Sequence, residues 1–269
     1  MDKSKDLEKI KGISAKLSEL LELINIYTPE DLINTPINKI FEEFEKLKND
    51  GKISYQVSTK AIEDWVADAK TGEYKYHQTN QLYYSLMERN FNKILRIILF
   101  KYLIVEKTEV PDEINFTISK VDNDLFKAIF DDMKQVRLVN KEIDKWVKTN
   151  KSRIDRFWTK YELIFKKGLS LNQFKDFYHD DNYDRECEYC GIKESDIGKL
   201  REKGEIKTKR FYSRGKKMEV DKINPNGDYT EKNIVLSCYW CNNAKTDEFS
   251  YDEFVEIGQA IRKVWDKRK

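Results

Sequence analysis

The chain has four cysteines, and they fall in two pairs of identical spacing, Cys187-Glu188-Tyr189-Cys190 and Cys238-Tyr239-Trp240-Cys241. Two cysteines separated by two residues can turn both sulfurs onto one ion from a tight knuckle. Two such knuckles complete a tetrahedron around zinc, which holds the thiolates deprotonated. A pair of disulfides needs an oxidising compartment, and nothing in the chain points to export. A redox dithiol does not need a second copy. The expectation is therefore a structural zinc ion on Cys187, Cys190, Cys238 and Cys241. Between the pairs runs the most basic stretch of the sequence, with Lys199, Arg201, Lys203, Lys207, Lys209, Arg210, Arg214, Lys216 and Lys217 set against Glu202 and Glu205. No amphipathic apolar stripe accompanies it, so beside a zinc knuckle it suits a phosphate backbone rather than a membrane surface. It reads as an insertion carrying a hairpin with a turn near Arg214-Gly215. Of the two histidines, His77 lies between expected helices. His179 shortly precedes the first knuckle, where it is a general base, a metal ligand or a plain surface loop residue.

The elements that must position these groups follow from periodicity. The 269 residues are 36 % charged and 39 % hydrophobic, a soluble, charge-rich composition with room for two modest domains. The net charge of +2 makes any nucleic-acid surface a matter of local clustering. The densest apolar patch, 94–105, is interrupted by Arg96 and Lys101, so no membrane span is expected. The polar N-terminus lacks an apolar signal core, and the expected location is the cytoplasm.

Leu7, Ile10, Ile13, Leu17, Leu20, Leu21 and Ile24 have helical spacing over about 4–26. Thr28-Pro29-Glu30-Asp31 is a helix start, with a cap residue, Pro in the first turn and acids at the positive end. Helices follow over 37–47 and from Ser58 or Thr59 to Gly72. From Gln78 to Lys107 one long helix carries Leu82, Leu86, Phe91, Ile94, Leu95, Ile98 and Leu99 on a wide apolar face, which places it at the centre of a bundle. Pro111 ends it. Further helices are expected from Asp122 or Asn123 through Val139 and on through Val147, over 152–166, and from Ser170. The aromatics at helical spacing, Trp65, Trp146 and Trp158 among them, read as core rather than stacking platforms. Lys141, Lys145, Lys148, Lys151, Arg153 and Arg156 form a second, weaker basic run. Beyond the first knuckle, Met218 to Ile223 alternates as a strand, 224–228 is a turn-rich loop, Ile234-Val235-Leu236 is a short buried strand, and Tyr239 to Lys245 is a helix. A last helix over 251–265 carries Phe254, Val255, Ile257, Ile261 and Val264 and packs back on this small core.

The pattern Val220-Asp221-Lys222-Ile223-Asn224, Gly227-Asp228-Tyr229-Thr230, Asn233-Ile234-Val235-Leu236, Cys238-x-x-Cys241-Asn242 and Lys245 resembles the ββα-metal core of the HNH endonucleases, and the cysteine pairs resemble its zinc-stabilised members. The resemblance covers about the last third of the chain. It implies an α+β protein in which a mostly helical domain, residues 1–180, precedes a small zinc-stapled, treble-clef-like ββα-metal domain, residues 181–269. It also implies roles. Asp221 and Asn242 would hold one catalytic Mg2+ or Mn2+, for which carboxylate and amide oxygens are suited hard ligands. Asn233 would brace the loop, and Lys245 would contact phosphate, joined by Arg214, Lys216 and Lys217 from the basic stretch.

The sequence departs from the family at the base. The position after the acid normally carries the histidine that activates water, and here it is Lys222, which is charged at neutral pH when unperturbed. Three outcomes follow. Tyr212, Asp228 or His179 replaces the histidine. Alternatively Lys222 has a depressed pKa, against which the neighbouring Asp221 acts. Or catalysis is lost and zinc folding with nucleic-acid binding is kept. The resemblance implies a DNA endonuclease in restriction or phage defence, the choice between DNA and RNA being left open by the sequence. The helical part would serve target choice, homo-oligomerisation or docking of a defence-system partner. A non-catalytic zinc module and a subunit active only in a larger complex are the rival expectations.

Overall fold

A computed structural model describes residues 3–207 and 214–269. It is mostly helical, with one two-stranded antiparallel sheet among the described residues, an α+β arrangement. The chain divides into two compact units, residues 1–81 with 179–182, and residues 82–178 with 183–269.

The first unit is built from a 3-10 helix Lys3–Lys9 and helices α1 (Ala15–Leu23), α2 (Pro29–Asn34), α3 (Ile37–Asn49) and α4 (Thr59–Thr71). The single helix expected over 4–26 is two pieces, because Gly12 takes φ +91 directly beneath the Trp65 indole. The start signals were legible: Thr28 and Asp31 form a reciprocal capping box on α2, Ser58 caps α4, and Gly72 ends α4 in the left-handed region. Leu7, Leu21, Leu32, Ile40, Phe44 and Trp65 are buried in its core. The segment 179–182 belongs here because Asp181 caps α5 (His77–Phe100), accepting from the Gln78 and Thr79 backbone amides at 2.8 and 3.0 Å.

The second unit takes most of α5, a π-helical turn Lys101–Glu106, and α6 (Lys120–Ala128), α7 (Met133–Thr149), α8 (Lys151–Gly168) and α9 (Leu171–Tyr178). Then come α10 (Glu194–Glu202), β1 (Glu219–Lys222), β2 (Ile234–Ser237), α11 (Tyr239–Lys245) and α12 (Tyr251–Arg268). The compact units therefore divide near residue 81. The physical reason is the core: Leu86, Phe91, Leu95, Phe157 and Phe165 share one buried cluster with Val220 and Ile234 of the two strands. The apolar face of α5 is satisfied by the ββα segment as well as by other helices.

α10 is a helix that the sequence reading did not give; the hairpin expected about Arg214-Gly215 lies partly outside the described residues. Ile197 and Leu200 are buried at helical spacing, with Glu194 and Asp196 in the first turn and Lys199 and Arg201 in the last, the arrangement a helix dipole favours. Glu194 also receives the buried Arg185, whose Nη1 donates at 3.1 Å, and its other oxygen accepts from the Met218 amide at 2.6 Å. The charge pair, at 1 % and 7 % side-chain exposure, ties α10 to the segment before the first knuckle, and the Met218 bond ties it to the start of β1. Among the described residues no helix is long and apolar enough to cross a membrane.

Candidate metal centre and adjoining polar cavity

The first knuckle is a turn closed by backbone: the Cys187 amide donates to Ile192 O at 2.9 Å, the Gly191 amide donates to Cys187 O at 2.8 Å, and Gly191 takes φ +64. The second uses the start of a helix. Cys238 is the N-cap of α11, and its sulfur receives the Cys241 amide. The Glu188 amide donates to Leu236 O at 2.8 Å and joins the two knuckles. All four cysteines are free of disulfides and buried, and their sulfurs lie within 4.8 Å of one another, with Cys190 and Cys238 Sγ at 3.7 Å. Tetrahedral thiolate ligands at zinc stand about 3.8 Å apart. The thiols perturb one another strongly. Sulfur hydrogen bonding, with Cys190 foremost, holds Cys187 far below the ordinary thiol range, while bonding to Cys187 pushes Cys238 and Cys241 far above it. One divalent cation resolves that conflict by keeping all four sulfurs deprotonated. The expected zinc ligand set is thus assembled in one place and fits the ion.

α12 closes the cluster from outside. Phe254 and Trp265 pack in the cysteine core, and a Cβ on Gly258 would stand 2.4 Å from Tyr189 O, so the helix crosses the knuckle at a distance only glycine permits.

β1 pairs with β2 in the register Asp221 opposite Val235 and Lys222 opposite Ile234. The loop between them is braced by Asn233. Its Oδ1 accepts from the Asn224 amide at 2.8 Å, and its Nδ2 donates to Asn224 O at 3.1 Å and Asp228 O at 2.9 Å. A Cβ on Gly227 would meet Asn233 Nδ2 at 2.7 Å, so that residue must be glycine for the brace to close.

Asp221 and Asn242 line one polar cavity of about 320 Å3, together with Lys222, Tyr229 and Asp247 and with Arg89, Asn90 and Lys93 of α5. Asp221 Oδ2 accepts from Tyr189 Oη at 2.7 Å, so a residue inside the first cysteine pair orients this carboxylate. The same bond and burial raise the Tyr189 pKa and keep the phenol protonated. Asn242 donates from Nδ2 to Glu219 Oε2 at 2.7 Å, which leaves its Oδ1 as the free acceptor of the amide.

Lys222 donates to Gly227 O at 2.8 Å and lies over the Tyr229 ring. Burial, reinforced by the charge of Lys93, pushes its pKa down to about 8; Asp228, Asp247 and Asp221 act in the opposite sense and do not offset it. Desolvation thus outweighs the opposing effect of Asp221.

Lys245 is fully buried, donating to Lys222 O at 2.8 Å with Asp221 at 3.4 Å, and so braces the strand and its carboxylate from inside. Arg214 forks onto Glu219 at 2.8 and 2.6 Å, and Lys217 pairs with Glu194 at 3.1 Å. Both cations are matched internally, while Lys216 is exposed. In the second basic run, Arg153 and Arg156 face Asp112. Of the residues considered in place of the histidine, Asp228 braces the loop through its carbonyl, and His179 belongs to the unit of residues 1–81. Tyr212, like Lys209 and Arg210, lies outside the described residues.

Sequence reasoning missed Arg89, Asn90 and Lys93. They are ordinary polar residues on a helix whose signal is its apolar face, and nothing local marks them. Compared with protein families, with curated proteins and with solved structures, the chain matches none.

Proposed function

We propose that the chain is a divalent-metal-dependent endonuclease of the HNH type, hydrolysing phosphodiester bonds of DNA, with zinc on the four cysteines as a structural staple. The observation that carries this reading is the meeting of Asp221 and Asn242, from β1 and α11, in one cavity beside a loop braced by Asn233. A carboxylate oxygen and an amide oxygen suit Mg2+ or Mn2+. Such an ion supplies charge stabilisation at the reacting phosphate and its leaving oxygen. Asn233 fixes the loop, Tyr189 and Lys245 orient Asp221, Glu219 turns the Asn242 amide so that its oxygen is available, and Lys222 places a cation where phosphate oxygens would lie.

A second reading, a nucleic-acid-binding module without catalysis, is favoured by one observation: Asp221 already has Tyr189 and the buried Lys245 as partners. The readings separate in a nicking assay. Zinc-loaded protein is incubated with supercoiled plasmid or single-stranded DNA in Mg2+, Mn2+ or no divalent cation, beside Asp221→Asn and Asn242→Ala. The nuclease reading expects metal-dependent nicking that both variants lose by about two orders of magnitude or more, the scale on which removal of a key electrostatic group acts. DNA retarded on a gel with no cleavage under any cation would establish the binding module instead. Asparagine is chosen at position 221 because its amide oxygen can still accept from the buried Lys245 ammonium, an acceptor that alanine removes.

A further inference from the structure

The cavity contains more positive charge than the ββα motif brings to it. Its carboxylates are Asp221 and Asp247, and each already has a lysine of its own: Asp221 has Lys245, and Asp247 is in an ion pair with Lys127. Arg89, Lys93 and Lys222 are also in the lining and form no ion pair among the described residues, with Asp247 the acid whose charge reaches both lysines. Arg89 and Lys93 stand four residues apart on α5 and so share one helix face. Neither makes an ion pair among the described residues. The one hydrogen bond of Arg89 runs from Nε to Ser85 O, which leaves the outer guanidinium nitrogens open. Both side chains are exposed, whereas the cation the motif supplies for phosphate, Lys245, is buried. A cluster of like charges with the neighbouring acids already matched is a site for a polyanion.

The cleft also continues past this point. Asn90, Lys93, Lys222 and Pro225 are shared with an adjoining cavity of about 210 Å3 that runs along Ile94, Phe116 and Asp228. Lys93 therefore stands where two cavities meet, as a residue must if it holds the backbone of a strand passing from one into the other.

We infer that Arg89 and Lys93 form a phosphate clamp that seats the nucleic-acid backbone over Asp221 and Asn242, so that α5 supplies part of the substrate site. The inference rests on the nucleic-acid substrate proposed above. The clamp takes over the contact that Lys245 cannot make from its buried position. Arg suits the pairwise oxygens of a phosphodiester, and Lys acts as a point charge.

The test is an anisotropy titration of a fluorescein-labelled DNA duplex over a salt series, without divalent cation, using zinc-loaded full-length protein. Arg89→Ala/Lys93→Ala is compared with Arg89→Lys/Lys93→Arg and with the charge-matched Lys52→Ala/Lys70→Ala, two exposed lysines of the other unit. Each phosphate contact contributes about 0.9 to the slope of log K against log salt, so the double alanine variant is expected to lose close to 2 in slope and more than about tenfold in affinity. The charge-retaining and Lys52/Lys70 variants are expected to keep both, as are zinc content and melting temperature in every variant. An unchanged slope and affinity in the double alanine variant overturns the clamp, as does a wild-type protein that does not retain the duplex. The two proposals fail separately. Metal-dependent nicking by a double alanine variant that binds like wild type would leave the nuclease and remove the clamp. A lost slope with no cleavage under any cation would leave the clamp and remove the nuclease.

Discussion

The second unit holds two sites of opposite construction. At the cysteine cluster every ligand is buried, the ligands are of one type, and backbone hydrogen bonds fix both turns. At the Asp221 cavity the lining is mixed and open, cations outnumber acids, and side chains hold one another in place. The first is the form of a closed structural metal site and the second that of a site which must admit a ligand. Tyr189 joins them: it belongs to the first cysteine pair by backbone and to the cavity by its hydroxyl. A metal held by the four cysteines would thus help fix the orientation of the Asp221 carboxylate in the neighbouring cavity.

If that division is right, perturbing the cluster alters folding and perturbing the cavity alters chemistry. The largest effect is expected at the ligands. Structural zinc sites bind with about 10 kcal/mol or more, so Cys238→Ser or prolonged chelation should release zinc and abolish cooperative unfolding of the second unit, read by metal analysis and calorimetry. Glu194→Ala should follow. It takes the carboxylate from the buried Arg185 and the acceptor from the Met218 amide, a change of about 3–5 kcal/mol in urea unfolding. Gly258→Ala forces α12 away from Tyr189 and should cost about 1–3 kcal/mol with zinc retained at full stoichiometry. Tyr189→Phe sharpens the comparison most. It deletes one hydrogen bond, worth about 1 kcal/mol of stability, yet it leaves Asp221 to Lys245 alone. The nicking rate should fall by more than that loss of stability explains, while zinc content stays unchanged. A rate that tracked stability alone would mean the two sites are independent.

Much of this was readable in the sequence because it is local. The Thr28 and Ser58 caps, the strand at 219–222, the helix after Cys238 and the loop-bracing Asn233 all depend on neighbours a few residues away. The four cysteines were legible because their spacing itself encodes the knuckles. What sequence did not reveal depends on tertiary neighbours. Lys245 has the residue type of a phosphate contact, and only the packing of α11 against β1 shows it to be internal. Lys222 has its charge discouraged by burial, which no one-dimensional pattern expresses. α10 was hidden by the high charge of its stretch, although Ile197 and Leu200 were present at the right interval. Arg89 and Lys93 carry no signal until α5 is laid against the strands.

The most direct test of the account is anomalous diffraction from crystals grown with zinc and Mn2+. The account predicts two sites per chain: zinc among the sulfurs of Cys187, Cys190, Cys238 and Cys241, and manganese bound by an oxygen of Asp221 and Oδ1 of Asn242. Zinc alone, with Asp221 still held by Tyr189 and Lys245 and no manganese at saturating concentration, would contradict the catalytic reading and leave a zinc-stapled nucleic-acid-binding domain.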